Sequence, residues 1–297
     1  MIEPEQTTKK YLYGVKTEGQ DAPAKILRAV GIGKRVLEVG CASGVQTRIL
    51  SQEQGCTVTG IEINPAAAEE ARPFCDAVIV GDLETLDFDE ALGDMLFEVI
   101  TIADVLEHLR EPARVLGALK KFLQPGGYIV VSIPNVAHAG LILELAMGRF
   151  DYRPYGLLDD THLRFFTLKS VTRLFSDCDL NIDALDRVVR TVESSEFHRH
   201  PLTPEEATIL AHIQSANPEW QTYQFIVKAT PLQVESRASS HEALELKDRL
   251  RDLELENKVL SARARKLEDQ IGWIESRGLY RLLASLKQAF RPAHGRK

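Results

Sequence analysis

Long apolar runs, paired cysteines and an excess of basic charge are all missing from this 297-residue chain. No stretch approaches the roughly 20 apolar residues of a membrane-spanning helix. Residues 1–20 are polar, with Glu3, Glu5, Lys9 and Lys10 where a secretory signal carries its apolar centre. The four cysteines, Cys41, Cys56, Cys75 and Cys178, show no Cys-x-x-Cys spacing and no paired histidine clusters. A disulfide framework and a zinc site are therefore not expected, and a reducing cytoplasm is. With 43 acidic against 36 basic residues, a net charge of −7, the chain lacks the field of a protein that coats nucleic acid. What it does have is 44% hydrophobic and 27% charged residues, a composition compatible with a packed core.

The chain is organised around Arg35-Val36-Leu37-Glu38-Val39-Gly40-Cys41-Ala42-Ser43-Gly44. A short apolar run suited to a buried parallel strand breaks into a small-residue turn, and 45–52 then reads as a helix. Gly40 and Gly44 permit a sharp turn and close approach to a ligand, with helix N–H groups behind them. Further Val- and Ile-rich strands are expected at 57–61, 77–80, 97–103 and 128–133, separated by helices at 65–72 and 112–123 after an opening helix at 22–30. Alternating strand and helix predicts an α/β fold, a mainly parallel sheet with helices on both faces. From 134 to 195 the rhythm changes. Helices at 139–147 and 168–175 flank an irregular segment, 148–167, followed by a strand near 181–189, a helix at 204–213 and a last strand at 223–229.

Three acidic residues stand at successive strand ends, where open α/β sheets bind ligands. Glu62 is placed to accept hydrogen bonds from ribose hydroxyls, Asp82 from an exocyclic amine, and Asp104 closes the fourth strand in Asp104-Val105-Leu106-Glu107-His108-Leu109. Three in register argue for a ligand site over ordinary caps.

These motifs, together with Leu123-Gln124-Pro125-Gly126-Gly127, closely resemble the class I S-adenosylmethionine-dependent methyltransferases. The resemblance implies a Rossmann-like seven-stranded sheet with an antiparallel last strand, and S-adenosylmethionine as cofactor. It implies that the loop of Gly40, Cys41, Ala42 and Gly44 holds the methionine part, Glu62 the ribose and Asp82 with Leu83 the adenine, and that Glu38 and Asp104 also bind the cofactor. Ala42 stands where many members have glycine. A narrower stretch, residues 151–167, resembles a segment of methyltransferases associated with bacterial surface-polysaccharide assembly. It implies a glycan or nucleotide-sugar acceptor.

From residue 234 the composition shifts to Leu, Glu, Lys and Arg. Leu246, Leu253, Leu260, Leu267 and Ile274 at d, with Leu250, Asn257, Ala264 and Ile271 at a, predict a coiled coil over 234–276. Asn257 can set the register of a parallel homodimer. A single amphipathic helix lying on its own domain is the competing reading. Residues 277–297 carry six basic and no acidic residues, with leucines at helical spacing. This tail suits an anionic membrane surface, or else a glycan-assembly partner. The expected organisation is thus an arm at 1–20, a methyltransferase domain at 21–230 with a substrate-side insert at 134–195, the coiled coil and the basic tail. The place would be the cytoplasm, peripheral to the inner membrane face.

Methyl transfer to a sugar hydroxyl calls for a base near neutrality, and His162 and His108 are the candidates, with His162 ranked first. Arg164 is expected to hold an acceptor phosphate or carboxylate, with Asp160 beside it, although Arg164 pairing with Asp159 or Asp160 is the alternative. Asp104, Asp159 and Asp160 are too scattered to form a metal set, and no metal is expected. Two other functions compete: a methyltransferase for a quinone-like or other small lipophilic acceptor, and an assembly protein without catalysis that works through the coiled coil.

Overall fold

The computed structural model describes residues 17–197 and 200–232, and, within 249–272, all but 251, 254–256 and 259. The arm with Tyr11 and Tyr13 lies almost wholly outside the described residues, as does the basic tail. The chain divides into two units, Met1–Val234 and Glu235–Lys297.

In the first unit the order is α1 (Ala22–Val30), β1 (Arg35–Val39), α2 (Val45–Arg48), β2 (Thr57–Glu62), α3 (Pro65–Ala71), β3 (Ala77–Val80), α4 (Phe88–Leu92), β4 (Phe97–Ala103), α5 (Pro112–Leu119), β5 (Leu123–Pro134), α6 (Ala139–Ala146), α7 (Leu168–Asp177), β6 (Leu180–Val189), α8 (Pro204–Ala216) and β7 (Thr222–Pro231). The strands form one seven-stranded sheet in the order β3-β2-β1-β4-β5-β7-β6. β1 to β5 pair in parallel, and β7 runs antiparallel to both β5 and β6. The strand order reverses beside β1, between β1 and β4, which is where a doubly wound sheet opens a ligand crevice.

Period-two alternation sends neighbouring side chains into two cores. Ile129, Val131 and Ile133 of β5 and Phe225, Val227 and Ala229 of β7 join one face, with Leu92 of α4, Leu116 of α5 and Phe175 of α7. Val130 and Ile226 face the other way, with Ile26 and Leu27 of α1. Helices therefore cover both faces.

Several boundaries move by one to a few residues, and three differences from expectation have a visible physical cause. The helix expected over 45–52 is α-helical only to Arg48 and then widens into a π-helical turn, Ile49–Glu53, closed by the Gln54 N–H on the Ile49 carbonyl (3.0 Å). β5 begins at Leu123 because Leu123 pairs with Phe97 before the register slips to Val99 opposite Tyr128. α4 is too short to show periodicity, but Asp87 caps it by accepting from the Asp89 and Glu90 N–H groups (3.0 and 3.1 Å).

In the second unit the described residues 260–272 are helical, and Leu260, Leu267 and Ile271 are exposed. Much of the heptad stretch lies outside the described residues. Among the described residues no helix is long and apolar enough to cross a membrane.

Candidate active site

The turn after β1 is held by the strand beside it. The Gly40 and Cys41 N–H groups donate to the Ile61 carbonyl (2.8 and 3.2 Å), and the Ala42 N–H donates to Glu62 Oε2 (2.9 Å). Glu62 Oε1 accepts from the Asn64 N–H (2.8 Å), so one buried carboxylate ties both loops at the ends of β1 and β2. A Cβ on Gly40 would meet Val105 Cγ2 at 2.6 Å, so glycine is needed for this close approach. Ala42 sits at φ +47°, in the left-handed region where glycine has no steric cost. Its substitution for glycine therefore stores strain in the turn.

A cavity of about 460 Å³ opens over these loops. Glu38, Glu62 and Asp82 bring carboxylates to it, and Leu83 and Ile63 bring apolar surface. Gly40, Cys41, Ala42 and Asp104 line it as well, whereas Gly44 does not; a Cβ there would strike the Ala71 backbone at 2.7 Å, so its role is packing of α3. Glu38 accepts from the Thr47 hydroxyl (2.6 Å), yet burial pushes its carboxyl up to about 7. Asp82 Oδ1 accepts from the Glu84 N–H (2.8 Å). A cleft with acidic walls, a close-approach glycine and an apolar flank fits an adenosyl sulfonium: a cation, a diol and a flat base.

A second cavity, of about 410 Å³, lies on the other side of the β4 turn. Asp104 and His108 line both cavities, so the two meet at these side chains. Asp104, at φ +53°, accepts from the Ser132 hydroxyl (2.5 Å) and the Gln224 amide (2.9 Å) on Oδ1. Burial holds its carboxyl above the usual aspartate range despite those bonds. Backbone strain at the meeting point of two cavities is a common mark of a reacting centre.

The insert is stitched to this turn. Leu163 and Arg164 N–H groups donate to the Glu107 carbonyl (2.8 and 2.9 Å). His108 Nδ1 lies 3.2 Å from the Thr161 carbonyl and 3.1 Å from its hydroxyl, and that hydroxyl donates to Asp159 Oδ1 (2.6 Å). A carbonyl can only accept, so Nδ1 carries the proton and Nε2 is the basic nitrogen. His162 packs edge-on against His108, ring centres 4.8 Å apart, with its Nδ1 at the Leu157 carbonyl (3.4 Å) and Nε2 4.0 Å from Glu107 Oε1. Glu107 is buried, and its Oε2 has no hydrogen-bond partner among the described residues. Burial and the neighbouring Asp104 and Asp159 carboxylates push it well above the usual range. Glu107, His108 and His162 bring one ligand atom each within 4.8 Å of one another, a different set from Asp104, Asp159 and Asp160.

Two substrate-side expectations need correction. Arg164 is exposed, and its guanidinium donates to the Arg110 carbonyl (2.9 Å from Nε, with Nη2 on the same oxygen). It lines neither cavity and pairs with neither aspartate; its role is to fasten the insert. Asp160 is exposed and lines neither cavity, whereas its neighbour Asp159 is buried and does line the second. The insert is irregular, so adjacent residues carry no periodicity from which to read their direction. Asp159 and Thr161 belong to the 151–167 segment that the sequence singled out, whereas Arg190 reaches the site without any sequence signal.

The seven-stranded sheet with β7 antiparallel to β5 is the arrangement expected of a class I methyltransferase. A family described as "Methyltransferase domain" matches residues 15–185, more than half of the chain, and the chain belongs to that family. Ubiquinone biosynthesis O-methyltransferase of Pseudomonas aeruginosa PAO1 is 30% identical over 141 residues, 43% of this chain and 60% of that protein. The same-named protein of Thiobacillus denitrificans is 30% identical over 182 residues, 52% of this chain and 78% of that one. The chain spans about 60% of the length of the first curated relatives it matches. Among solved structures, a SAM-dependent methyltransferase from Aquifex aeolicus is 17% identical, covering 77% of this chain and 98% of that one, with a TM-score of 0.49. The chain therefore carries a methyltransferase domain.

Proposed function

We propose that this chain O-methylates a polar hydroxyl acceptor of the sugar type, carried on a cell-surface glycan or on its nucleotide-sugar or lipid-linked precursor. The observation that supports it is the lining of the second cavity, where Asp21, Asp104, His108, His162, Arg190 and Gln224 offer donors and acceptors. Such a lining suits a polyhydroxylated ligand, because each buried polar group needs a partner.

Bound S-adenosylmethionine supplies an electrophilic methyl group on a sulfonium. The protein has to place the acceptor oxygen in line with it, exclude water and take the hydroxyl proton. Orientation of this kind contributes as much as about 7–11 kcal/mol. Asp104 and His108 stand where the cavities meet, so the acceptor hydroxyl is assigned to them. His108 Nε2 takes the proton, and Thr161 with Asp159 holds the ring through Nδ1 and supports the imidazolium that forms. His162 is the neighbouring group, a reversal of the order that the sequence alone suggested. His108 takes precedence because it borders both cavities and His162 only one.

The second reading is a quinone-like acceptor. It is favoured by the names of the relatives and by Tyr155, which lines the second cavity yet is 63% exposed. The two separate on one experiment: purified protein is incubated with methyl-labelled S-adenosylmethionine and the source cell's glycan, nucleotide-sugar and lipid fractions. Label in glycan or nucleotide sugar is the expected result. Label only in small lipids transfers the function to the second reading. No label together with no cofactor binding would leave the assembly role.

A further inference from the structure

Four arginines around the insert and the last strands are each committed. Arg149 pairs with Glu144 and Glu206, Arg153 donates to the Glu196 carbonyl, Arg164 donates to the Arg110 carbonyl, and Arg187 pairs with Glu219. Arg190 differs. Among the described residues its guanidinium is in no ion pair or hydrogen bond, and it lines the cavity that also holds Asp104 and His108.

Its position is nevertheless well defined. The Arg190 N–H donates to the Gln221 carbonyl (2.9 Å), and the Arg190 carbonyl lies 2.8 Å from His138 Nε2. The guanidinium lies 4.2 Å from the centre of the Tyr223 ring, and that ring is fixed by its hydroxyl donating to Glu196 Oε1 (2.8 Å). A guanidinium stacked on a fixed aromatic ring keeps its N–H edge for an acceptor, and its planar fork matches the oxygens of a carboxylate or phosphate. Three carboxylates of the cavity already have partners: Asp21 accepts from the Ala24 N–H, Asp159 from Thr161, and Asp104 from Ser132 and Gln224, while the buried Glu107 faces His162 Nε2 at 4.0 Å. An arginine that is exposed at a cavity wall, stacked and without a counter-ion among the described residues is what an arriving anion needs.

We infer, on the assignment of this cavity to the acceptor, that the acceptor carries an oxyanion, a carboxylate or a phosphate, and that Arg190 holds it while the hydroxyl sits at Asp104 and His108. Arg190 thereby selects for charged acceptors over neutral ones of the same shape.

The test is calorimetric titration of the full-length protein loaded with S-adenosylhomocysteine. The probes are glucuronate, glucose 1-phosphate, benzoate and glucose, and the proteins are the parent, Arg190→Gln and Arg190→Lys. A charged probe is expected to bind at least about tenfold more tightly than glucose, Arg190→Gln to remove that margin, and Arg190→Lys to keep part of it. The affinity of Arg190→Gln for S-adenosylhomocysteine should match the parent's, which separates lost recognition from lost fold. Glucuronate against glucose 1-phosphate tells carboxylate from phosphate. Benzoate binding that depends on Arg190, with every sugar refused, supports the inference and removes the sugar reading. Equal binding of charged and neutral sugars, a margin that survives Arg190→Gln, or no binding of any probe overturns the inference, and equal binding leaves the sugar reading standing.

Discussion

His108 and Thr161 meet twice, the ring nitrogen Nδ1 lying 3.2 Å from the carbonyl and 3.1 Å from the hydroxyl of the same residue. Two elements far apart in sequence, the turn after β4 and the irregular insert, are joined at the proposed base. His108→Asn should lower kcat by about 10²–10⁴-fold, the usual contribution of a positioned base. Affinity for S-adenosylhomocysteine should change little. His162→Asn should cost less. Single-turnover kinetics with the identified acceptor checks both, and full turnover in His108→Asn would remove it from the mechanism.

Thr161 acts through His108, so the conservative variant is informative. Thr161→Ser keeps the hydroxyl that bridges to Asp159 and should retain most of kcat. Thr161→Val loses it and should fall about 10- to 100-fold in kcat with KM nearly unchanged, since one hydrogen bond to a charged group amounts to about 1.5–3 kcal/mol. Equal rates in the two variants would show that the carbonyl alone positions the ring.

The turn after β1 yields a pair of opposite outcomes. Gly40→Ala puts a methyl 2.6 Å from Val105 Cγ2 at φ +76°, and both cofactor affinity and melting temperature should drop. Ala42→Gly relieves a left-handed residue. It should leave stability within about 1 kcal/mol of the parent, on the stabilising side, because steric relief exceeds the added chain entropy. Thermal unfolding of both variants decides, and a lower melting point for Ala42→Gly would show that the alanine carries no strain.

Stability should fall as pH rises through the range set by Glu38. Burial raises its carboxyl from 4.5 to about 7 in the folded chain. The folded state thus binds the proton more tightly than the unfolded one. The associated stability is complete below about 4.5 and is lost as pH passes through about 7. Asp104 and Glu107 are shifted in the same direction, so Glu38→Gln should flatten the dependence without abolishing it. Denaturant unfolding across this range, parent against variant, measures the difference, and identical slopes would place the pH dependence elsewhere.

The helix of the second unit leaves Leu260, Leu267 and Ile271 exposed at 57, 52 and 55%. Their spacing is that of a heptad seam, and a second copy of the same segment is the occupant that such a seam specifies. The full-length parent should sediment as a dimer and the double variant Leu260→Asp with Leu267→Asp as a monomer. A monomeric parent would favour the reading of a single surface helix.

Strands were the legible part of the fold. Val- and Ile-rich runs between breakers place β3 and β4 at their observed bounds: β4 is buried and therefore apolar on both faces, and the edge strand β3 is marked by its β-branched residues alone. Acidic residues at strand ends were legible for the same reason, since position along the chain and position on the rim coincide there. The acceptor side was not. Arg164 and Asp160 sit in an irregular segment where direction depends on contacts with the β4 turn. Arg190 follows a strand with register shifts at 182/184 and 188/189. Each such shift reverses which face the next residue meets, so a local pattern cannot say that Arg190 turns into the cavity.

The meeting of two cavities at Asp104 and His108 also divides the labour of the chain. The wall proposed for the methyl donor is built from residues 38–110, apart from Thr161 and Leu163. The wall proposed for the acceptor comes from 21–23, 134, 155–162, 188–190 and 223–224, joined to it by 104–108. Evolution can therefore exchange acceptors by editing a few peripheral segments while the donor half stays untouched, so that kinship in the first half carries little information about what is methylated by the second.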